Sequence, residues 1–271
     1  MAKKHGTRLP ARVKGVQEVK LTSWREFYPF VNGKLRNPQD YIFRGQRMSH
    51  WPLESSLDRA LNDMGKQADA APLARHHLHE FRLAMRGRRG VNPKELKEEE
   101  DEGELWALGQ HYSLLTPLLD WTESPFVALY FAFEEPGTTQ KGARAVFALS
   151  RSLVQSMSTG IAQKEQLGSP ARPDILEIIT PMTDENARLV SQGGLFTRVG
   201  FGDDIEKWVR RYFSGRGPNT ALVKIVVPEE TGDRLEVLRA LNRMNINRRS
   251  LFPDLTGSAA FCNIRLSVTG Y

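Results

Sequence analysis

The sequence predicts an α+β fold, because segments patterned as strands and segments patterned as helices follow one another without a regular β–α alternation. The chain has 271 residues, of which 40% are hydrophobic and 26% are charged, so it can bury the core of one large domain. It shows no internal repeat and no low-complexity tract. We therefore expect a flexible basic arm over residues 1–15 and a single domain over residues 16–271.

Apolar runs bounded by turn residues predict six strands. The most strand-like segment is Ala221 to Val227, an apolar run that Pro228 closes. The other five predicted strands are Val16 to Leu21, Asp40 to Gly45, Ala143 to Leu149, Asp174 to Thr180 and Leu195 to Val199.

Spacings of three and four residues between apolar side chains predict most of the helices. Ser23 and Glu26 have the S-x-x-E spacing of a capping box, and Ser124-Pro125 combines an N-cap residue with a proline at the first helical position. Seven helices are predicted. The first begins after Ser23 and ends at Asn32-Gly33, the second contains Ala74, Leu78, Phe81 and Met85, the third ends near His111, and the fourth begins at Ser124. The fifth spans residues 184–192, the sixth contains Ile205, Trp208, Val209 and Tyr212, and the last long helix contains Leu235, Leu238 and Leu241. The acidic segment 92–103 is predicted to be an exposed helix or loop.

Composition limits the classes of protein. The single cysteine, Cys262, excludes an internal disulfide and favours a reducing compartment. The longest apolar run, Pro125 to Phe133, is too short to cross a bilayer, so we expect no membrane association and a cytoplasmic location. No CxxC or HExxH spacing is present, so no metal site is predicted, and the P-loop, Rossmann and hydrolase-elbow motifs are also missing.

The formal net charge of +6 and the pI of about 9.5 favour an anionic partner. The basic residues are clustered at Lys3-Lys4, at Arg86, Arg88 and Arg89, at Arg210-Arg211, and at Arg243, Arg248 and Arg249. Because several separate clusters share one sign, nucleic acid is the preferred partner, although the same residues are also compatible with an ordinary solvated surface.

The first candidate site is the YIFRGQ segment. Arg44 leaves a predicted strand and can direct a planar guanidinium towards a phosphate or a carboxylate. Gly45 permits close approach of a ligand or of another backbone segment. The alternative is a structural arginine that pairs with a carboxylate of the protein.

The second candidate is the segment from Gln110 to Pro125, just before the predicted buried helix. Free N–H groups at the start of that helix favour an anion, with the Thr122 and Ser124 hydroxyls beside them. Trp121 is a candidate for stacking on a flat ring. Each group also has a structural interpretation, in which Ser124 only caps, Trp121 only packs and His111 only completes a buried hydrogen bond.

The third candidate is the SQGGLF segment. Gln192 has both a donor and an acceptor with which to contact a ligand. From the residues alone, a helix C-cap at Gly193 or Gly194 is the preferred interpretation.

Four segments in this order resemble the FRG-domain family: Phe43-Arg44-Gly45, His111 to Ala132, Gln192 to Phe196 and Ser250 to Leu255. The most specific part is LLDWT-x-SP followed by an apolar helix. The sequence departs from the family at Ser113, Leu115 and Pro117. Pro117 stands where the family often has an arginine, so no role is assigned to that position.

The resemblance implies a fold distantly similar to that of ADP-ribosyltransferases, with a mixed, mainly antiparallel split sheet flanked by helices. It implies NAD as the substrate, with Phe43, Arg44, Gly45, Tyr112, Trp121, Thr122 and Ser124 as binding residues and Arg44, His111 and Gln192 as catalytic residues. It further implies a toxin of bacterial antiphage defence, with an antitoxin protein as a possible partner. Together with the basic surface, it predicts a nucleic-acid acceptor, RNA ahead of DNA.

Two other functions remain open from the sequence. One is a non-catalytic module that binds a nucleotide or RNA in the same cleft. The other is a metal-free nuclease with His111 as general base and Arg44 on the scissile phosphate.

Overall fold

The computed structural model describes residues 13–35, 37–87, 102–136, 142–165, 174–181, 187–215, 220–229, 232–268 and 270–271. Three predictions lie wholly or mostly outside these ranges: the basic arm apart from residues 13–15, the acidic segment apart from residues 102 and 103, and the basic residues Lys3, Lys4, Arg88 and Arg89. Within the described residues, no helix is both long enough and apolar enough to cross a membrane.

Seven strands of the described chain form one sheet. They are β1 (Val16–Lys20), β2 (Tyr41–Gln46), β3 (Leu119–Thr122), β4 (Arg144–Ser150), β5 (Glu177–Ile179), β6 (Gly194–Arg198) and β7 (Leu222–Val227). Their order across the sheet is β1-β7-β4-β2-β3-β6-β5. Only the β1–β7 pair at one edge is parallel, so the prediction of a mixed, mainly antiparallel sheet is confirmed.

The strand pairing is shortest between β2 and β3, where a single residue pair, Phe43 and Thr122, joins the strands. On its other side β2 is paired with β4 along its whole length, from Tyr41 opposite Ser150 to Gln46 opposite Ala145. The sheet is therefore continuous but nearly divided into two halves. This junction, called the strand join below, positions the candidate site.

The helices of the described chain surround the sheet. Three short 3-10 helices span Trp24–Glu26, Pro38–Asp40 and Gln67–Asp69. The α-helices are α1 (Phe27–Lys34), α2 (Ser56–Asp63), α3 (Ala70–Ala84), α4 (Glu102–His111), α5 (Pro125–Phe133), α6 (Arg151–Glu165), α7 (Ala187–Ser191), α8 (Ile205–Tyr212), α9 (Asp233–Arg243), α10 (Arg248–Leu251) and α11 (Leu255–Ser267).

Each side of the sheet has its own apolar core. One core joins α5 and α9 to residues of β2, β4 and β7, and the other joins α6 and α8 to the alternate residues of the same sheet. A third cluster lies among α2, α3 and α4 and includes Phe196 of β6. As predicted from its all-round apolar composition, α5 is buried, and the Ser124 side chain caps it by accepting a hydrogen bond from the Val127 N–H.

The predicted strands are all present, whereas β3 and the helices α2, α6, α10 and α11 were not predicted. The prediction that the helix with Leu235, Leu238 and Leu241 is the last long one is wrong, because α11 follows it and is longer.

The capping box at Ser23 forms only in part. The Ser23 side chain accepts from the Arg25 N–H, but the Glu26 carboxylate accepts from Thr22 instead of from Ser23. The first helical turn is a 3-10 turn, which accounts for the shifted partner.

Candidate functional site

Two neighbouring cavities open at the strand join and share Arg44, Gly45 and Phe131. The first, here called the join cavity, has a volume of about 330 Å³ and is lined by Phe43, Arg44, Gly45, Asp120, Trp121, Thr122, Phe131, Gln192 and Phe252. The second, here called the arginine cavity, has a volume of about 550 Å³ and is lined by Arg44, Gly45, Gln46, Arg47, Trp51, Pro52, Arg59, Phe131, Glu134 and Glu135.

Arg44 lies where the two cavities meet. Its Nη1 donates to the backbone oxygen of Asp120 at 2.7 Å and lies 3.6 Å from the Asp120 carboxylate, so β3 holds the guanidinium across the join. No other hydrogen bond of this side chain is formed with the described residues, and Nε is buried without a partner. Burial lowers the pKa of Arg44, and the nearby Arg59 lowers it further, against the attraction of Asp120. An anion placed here would offset both effects.

A short polar network fixes the position of Asp120. Gln110 of α4 donates from Nε2 to Asp120 Oδ1 at 2.8 Å, and the Thr116 hydroxyl donates to Gln110 Oε1. Asp120 is therefore oriented from α4, and its carboxylate is the acidic group that lines the join cavity. Asp120 lies within the segment from Gln110 to Pro125 but was given no role from the sequence, because only the pairing of β2 with β3 brings it to Arg44.

Thr122 and Ser124 are used within the protein. The Thr122 hydroxyl donates to the backbone oxygen of Gln192 at 2.6 Å and accepts from the Ser124 N–H at 3.1 Å. Thr122 thus ties β3 to the end of α7. Ser124 is the N-cap of α5 and is not among the residues that line either cavity.

Gln192 lines the join cavity from the end of α7. Its Nε2 donates to the Leu251 backbone oxygen at 3.1 Å, which leaves the amide oxygen as the end without a partner among the described residues. Gly193 has a φ of +54° directly after the helix, the left-handed conformation of a C-cap glycine. The predicted C-cap and a side chain that lines the cavity therefore occur together.

Three of the predicted binding residues are held by packing. Trp121 is 3% exposed and its indole N–H donates to the Thr197 hydroxyl, so it contributes to the lining of the join cavity from within the core. Phe43 is buried in the core beneath α5. At Gly45 the close neighbour is the backbone of α5, since a Cβ there would lie 1.9 Å from the Ala128 oxygen.

His111 and Tyr112 lie at the end of α4 and line neither cavity. Their rings meet edge to face with centroids 4.9 Å apart, and Tyr112 is 67% exposed. Burial and the charge of Arg188 lower the pKa of His111, whereas Asp254 opposes the shift. Because Arg188 belongs to α7, His111 lies near that helix.

Arg47, Trp51 and Arg59 were not predicted as site residues, yet they line the larger cavity. Arg47 ends the FRGQR run, and its spacing of three from Arg44 was the available signal. Arg59 comes from α2 and lines the same cavity as Arg44 of β2, a meeting of two elements that no local pattern indicates.

Three of the six described basic residues of the clusters noted in the sequence are in ion pairs. Arg210 pairs with Glu206, and Arg211 pairs with Asp174 and Asp203. Arg248 pairs with Glu134 and lies 3.8 Å above the Phe252 ring. Arg86 and Arg243 are exposed.

Comparisons with known proteins identify part of the chain. No curated protein and no solved structure matches it significantly. Residues 39–141 match the family model named FRG domain. The match includes Arg44, His111, Asp120, Thr122 and Ser124, and it ends before Gln192. This part of the chain is therefore similar to an FRG domain, and it contains β2, β3 and α5, the elements around Arg44.

Proposed function

We propose that this protein is an NAD-dependent ADP-ribosyltransferase whose reaction takes place at the strand join. The observation that supports this best is the position of Arg44, a guanidinium with two unpaired nitrogens at the meeting point of two cavities. NAD consists of two nucleotides joined through a pyrophosphate. An arginine between two cavities suits that ligand, because its planar donors match phosphate oxygens.

In the proposed reaction the bond between nicotinamide and ribose breaks, and nicotinamide leaves with the bonding electron pair. A nucleophilic atom of the acceptor forms the new bond to the ribose carbon and gives up its proton. Positive charge develops on the ribose in between, and acceptor dipoles and anions stabilise it. Asp120 and the amide oxygen of Gln192 are the groups of the join cavity with this polarity.

We further propose that the acceptor is nucleic acid, single-stranded RNA ahead of DNA, and that the activity serves as a cytoplasmic antiphage toxin restrained by an antitoxin. The net charge of +6 and the exposed Arg86 and Arg243 support an anionic acceptor. The ion pairs of Arg210, Arg211 and Arg248 restrict the basic surface to fewer residues than the sequence suggests.

The test is transfer of label from adenylate-labelled NAD to RNA, DNA or protein, with nicotinamide release measured in parallel. We expect label on RNA and its loss in Arg44→Ala, while Arg75→Ala, which changes an exposed arginine of α3, keeps the wild-type rate. Thermal unfolding of each variant separates loss of the site from loss of the fold. Absence of nicotinamide release with every acceptor would refute the transferase proposal, and label on protein alone would refute only the nucleic-acid acceptor.

One observation favours a second function, a nucleotide-binding module without catalysis. The Thr122 and Ser124 hydroxyls, which the family resemblance implies as NAD-binding groups, are engaged in bonds within the protein. Saturable NAD binding by calorimetry without nicotinamide release would support this function. The nuclease alternative gains nothing from the geometry, because His111 lines neither cavity.

A further inference from the structure

Three guanidinium groups line the arginine cavity, and each uses one nitrogen within the described structure. Arg44 donates from Nη1 to the Asp120 backbone oxygen, Arg47 from Nη1 to Glu135, and Arg59 from Nη1 to the Glu54 backbone oxygen. Their remaining nitrogens make no hydrogen bond to the described residues, and those of Arg44 and Arg47 include a buried Nε. The cavity wall therefore has a surplus of N–H donors.

The carboxylates at this cavity do not use up those donors. Glu135 pairs with Arg47 at 2.6 Å, and Glu134 pairs with Arg248, which is not among the residues that line the cavity. Asp120 approaches Arg44 from the join cavity, at 3.6 Å. No described carboxylate is within ion-pair distance of Arg59, although Glu54 attracts it from farther away, and repulsion by Arg59 lowers the pKa of Arg44. A phosphate bound by both guanidinium groups would offset that repulsion.

The same cavity has an aromatic surface. Trp51 is 40% exposed, and the Arg47 guanidinium lies 5.2 Å from its ring centroid. A partly exposed indole beside cationic groups is a stacking platform for a nucleobase. Gln46, 7% exposed, forms part of the wall between the platform and Arg44.

We propose that the arginine cavity binds a nucleoside 5′-phosphate, with the phosphate held by Arg44, Arg47 and Arg59 and the base stacked on Trp51. Because Arg44 also lines the join cavity, one dinucleotide would occupy both cavities, with its pyrophosphate at Arg44. In the proposed reaction the occupant of the arginine cavity is the adenylate half of NAD. This identification rests on the proposed function, whereas the nucleotide site itself does not.

The test is calorimetric titration of the full chain with AMP, adenosine and inorganic phosphate. We expect AMP to bind more tightly than either part. Arg59→Ala should weaken AMP about tenfold and leave adenosine unchanged, because only the phosphate contact is lost. Trp51→Ala should weaken both AMP and adenosine, and Trp51→Phe should restore most of the affinity. Arg75→Ala, with thermal unfolding of all variants, is the matched control.

Equal affinity for AMP and adenosine, or an Arg59→Ala variant that binds AMP like the wild type, would overturn the proposal. A short single-stranded oligonucleotide provides a further arm. If it binds in an Arg59-dependent manner while AMP does not bind, the cavity serves a nucleic-acid chain and the mononucleotide proposal is wrong. AMP binding with these variant effects but without nicotinamide release from NAD would keep the site and refute the transferase. If the Arg59 and Trp51 variants release nicotinamide at the wild-type rate, the transferase proposal would stand and the nucleotide site would be refuted.

Discussion

At position 45 there is no space for a side chain, because α5 crosses β2 at this point. A Cβ at Gly45 would lie 1.9 Å from the Ala128 oxygen and 2.7 Å from the Ala132 nitrogen. Both are backbone atoms of a buried helix and cannot move aside as the end of a flexible side chain can. The glycine of the FRG segment therefore allows the helix and the strand to pack closely, and it sets the position of the neighbouring Arg44.

We predict that Gly45→Ala destabilises the protein by about 3 kcal/mol or more, the upper part of the range for overpacked cores. The matched control is Gly33→Ala in α1, where no atom lies within 4 Å of the new Cβ. That change should be neutral or stabilise by up to about 1 kcal/mol, because alanine favours the helix. Urea unfolding measures both, and a Gly45→Ala variant as stable as Gly33→Ala would contradict this explanation.

His111 provides a pH-dependent prediction at the same scale. Its pKa is lowered in the folded state, mainly by burial, so folding opposes its protonation. Its contribution to stability is complete above the ordinary value of about 6.5 and is lost as the pH falls through the lower folded value. Between pH 7.5 and about pH 5, the melting temperature of the wild type should therefore fall more than that of His111→Gln. Parallel curves for the two proteins would show that His111 does not contribute.

Helix α5 connects most of the features of the site, and side chains secure both of its ends. Ser124 caps its start, and at its end Arg144 donates to the Ala132 oxygen while Arg234 donates to the Phe133 and Glu134 oxygens. The last carbonyl groups of a helix lack partners within the helix, so these arginines satisfy them. The helix that covers Gly45 and Arg44 is thus fixed to β4 and α9.

The ion pair of Arg144 with Glu229 tests this arrangement. Arg144 is fully buried and bonds to both Glu229 oxygens at 2.7 Å, which joins the start of β4 to the segment after β7. Glu229→Leu leaves a buried guanidinium without its counter-ion and should cost about 3 kcal/mol. Arg144→Met combined with Glu229→Leu should cost less than the sum of the two single changes. Additive losses in urea unfolding would show that the two residues do not act as a pair.

At the scale of the whole molecule, the sheet is weakest where the candidate site lies. One residue pair joins β2 to β3, whereas β4 is paired along its length with both β2 and β7. Side-chain bonds compensate, since Arg44 reaches the Asp120 oxygen and Thr122 reaches the Gln192 oxygen. The join cavity is lined by residues of both strands at this junction.

We predict that the two halves of the sheet open with different free energies. In native-state hydrogen exchange, the amides of β3, β5 and β6 should exchange through a common opening that leaves β4 and β7 protected. Saturating NAD should slow that opening, because the proposed ligand bridges β2 and β3. A single opening free energy for all seven strands would contradict the prediction.

Local patterns were sufficient for most elements because they reflect properties of neighbouring residues. The spacing of apolar residues located α3 and α8, and Ser124-Pro125 located the start of α5. Leu119–Thr122 was not predicted as a strand, because it has four residues and includes a charged one. It forms a strand because it pairs with β2 on one side and with β6 on the other. Helix α11 was not predicted because its apolar residues do not form a clear face.

The sequence by itself determined the α+β class, most of the elements and the FRG segment with its arginine. Only the tertiary structure decided which of those residues meet. Arg44 contacts Asp120, Thr122 contacts Gln192, and Arg59 joins Arg44 at one cavity, although each pair is far apart in the chain or in different elements. The physical reason is that caps and periodicity act over a few residues, whereas strand order and helix packing bring distant side chains together. The tertiary structure likewise placed the Trp121 ring in the core and the Trp51 ring at a cavity, since burial depends on the layer into which each strand and loop is folded.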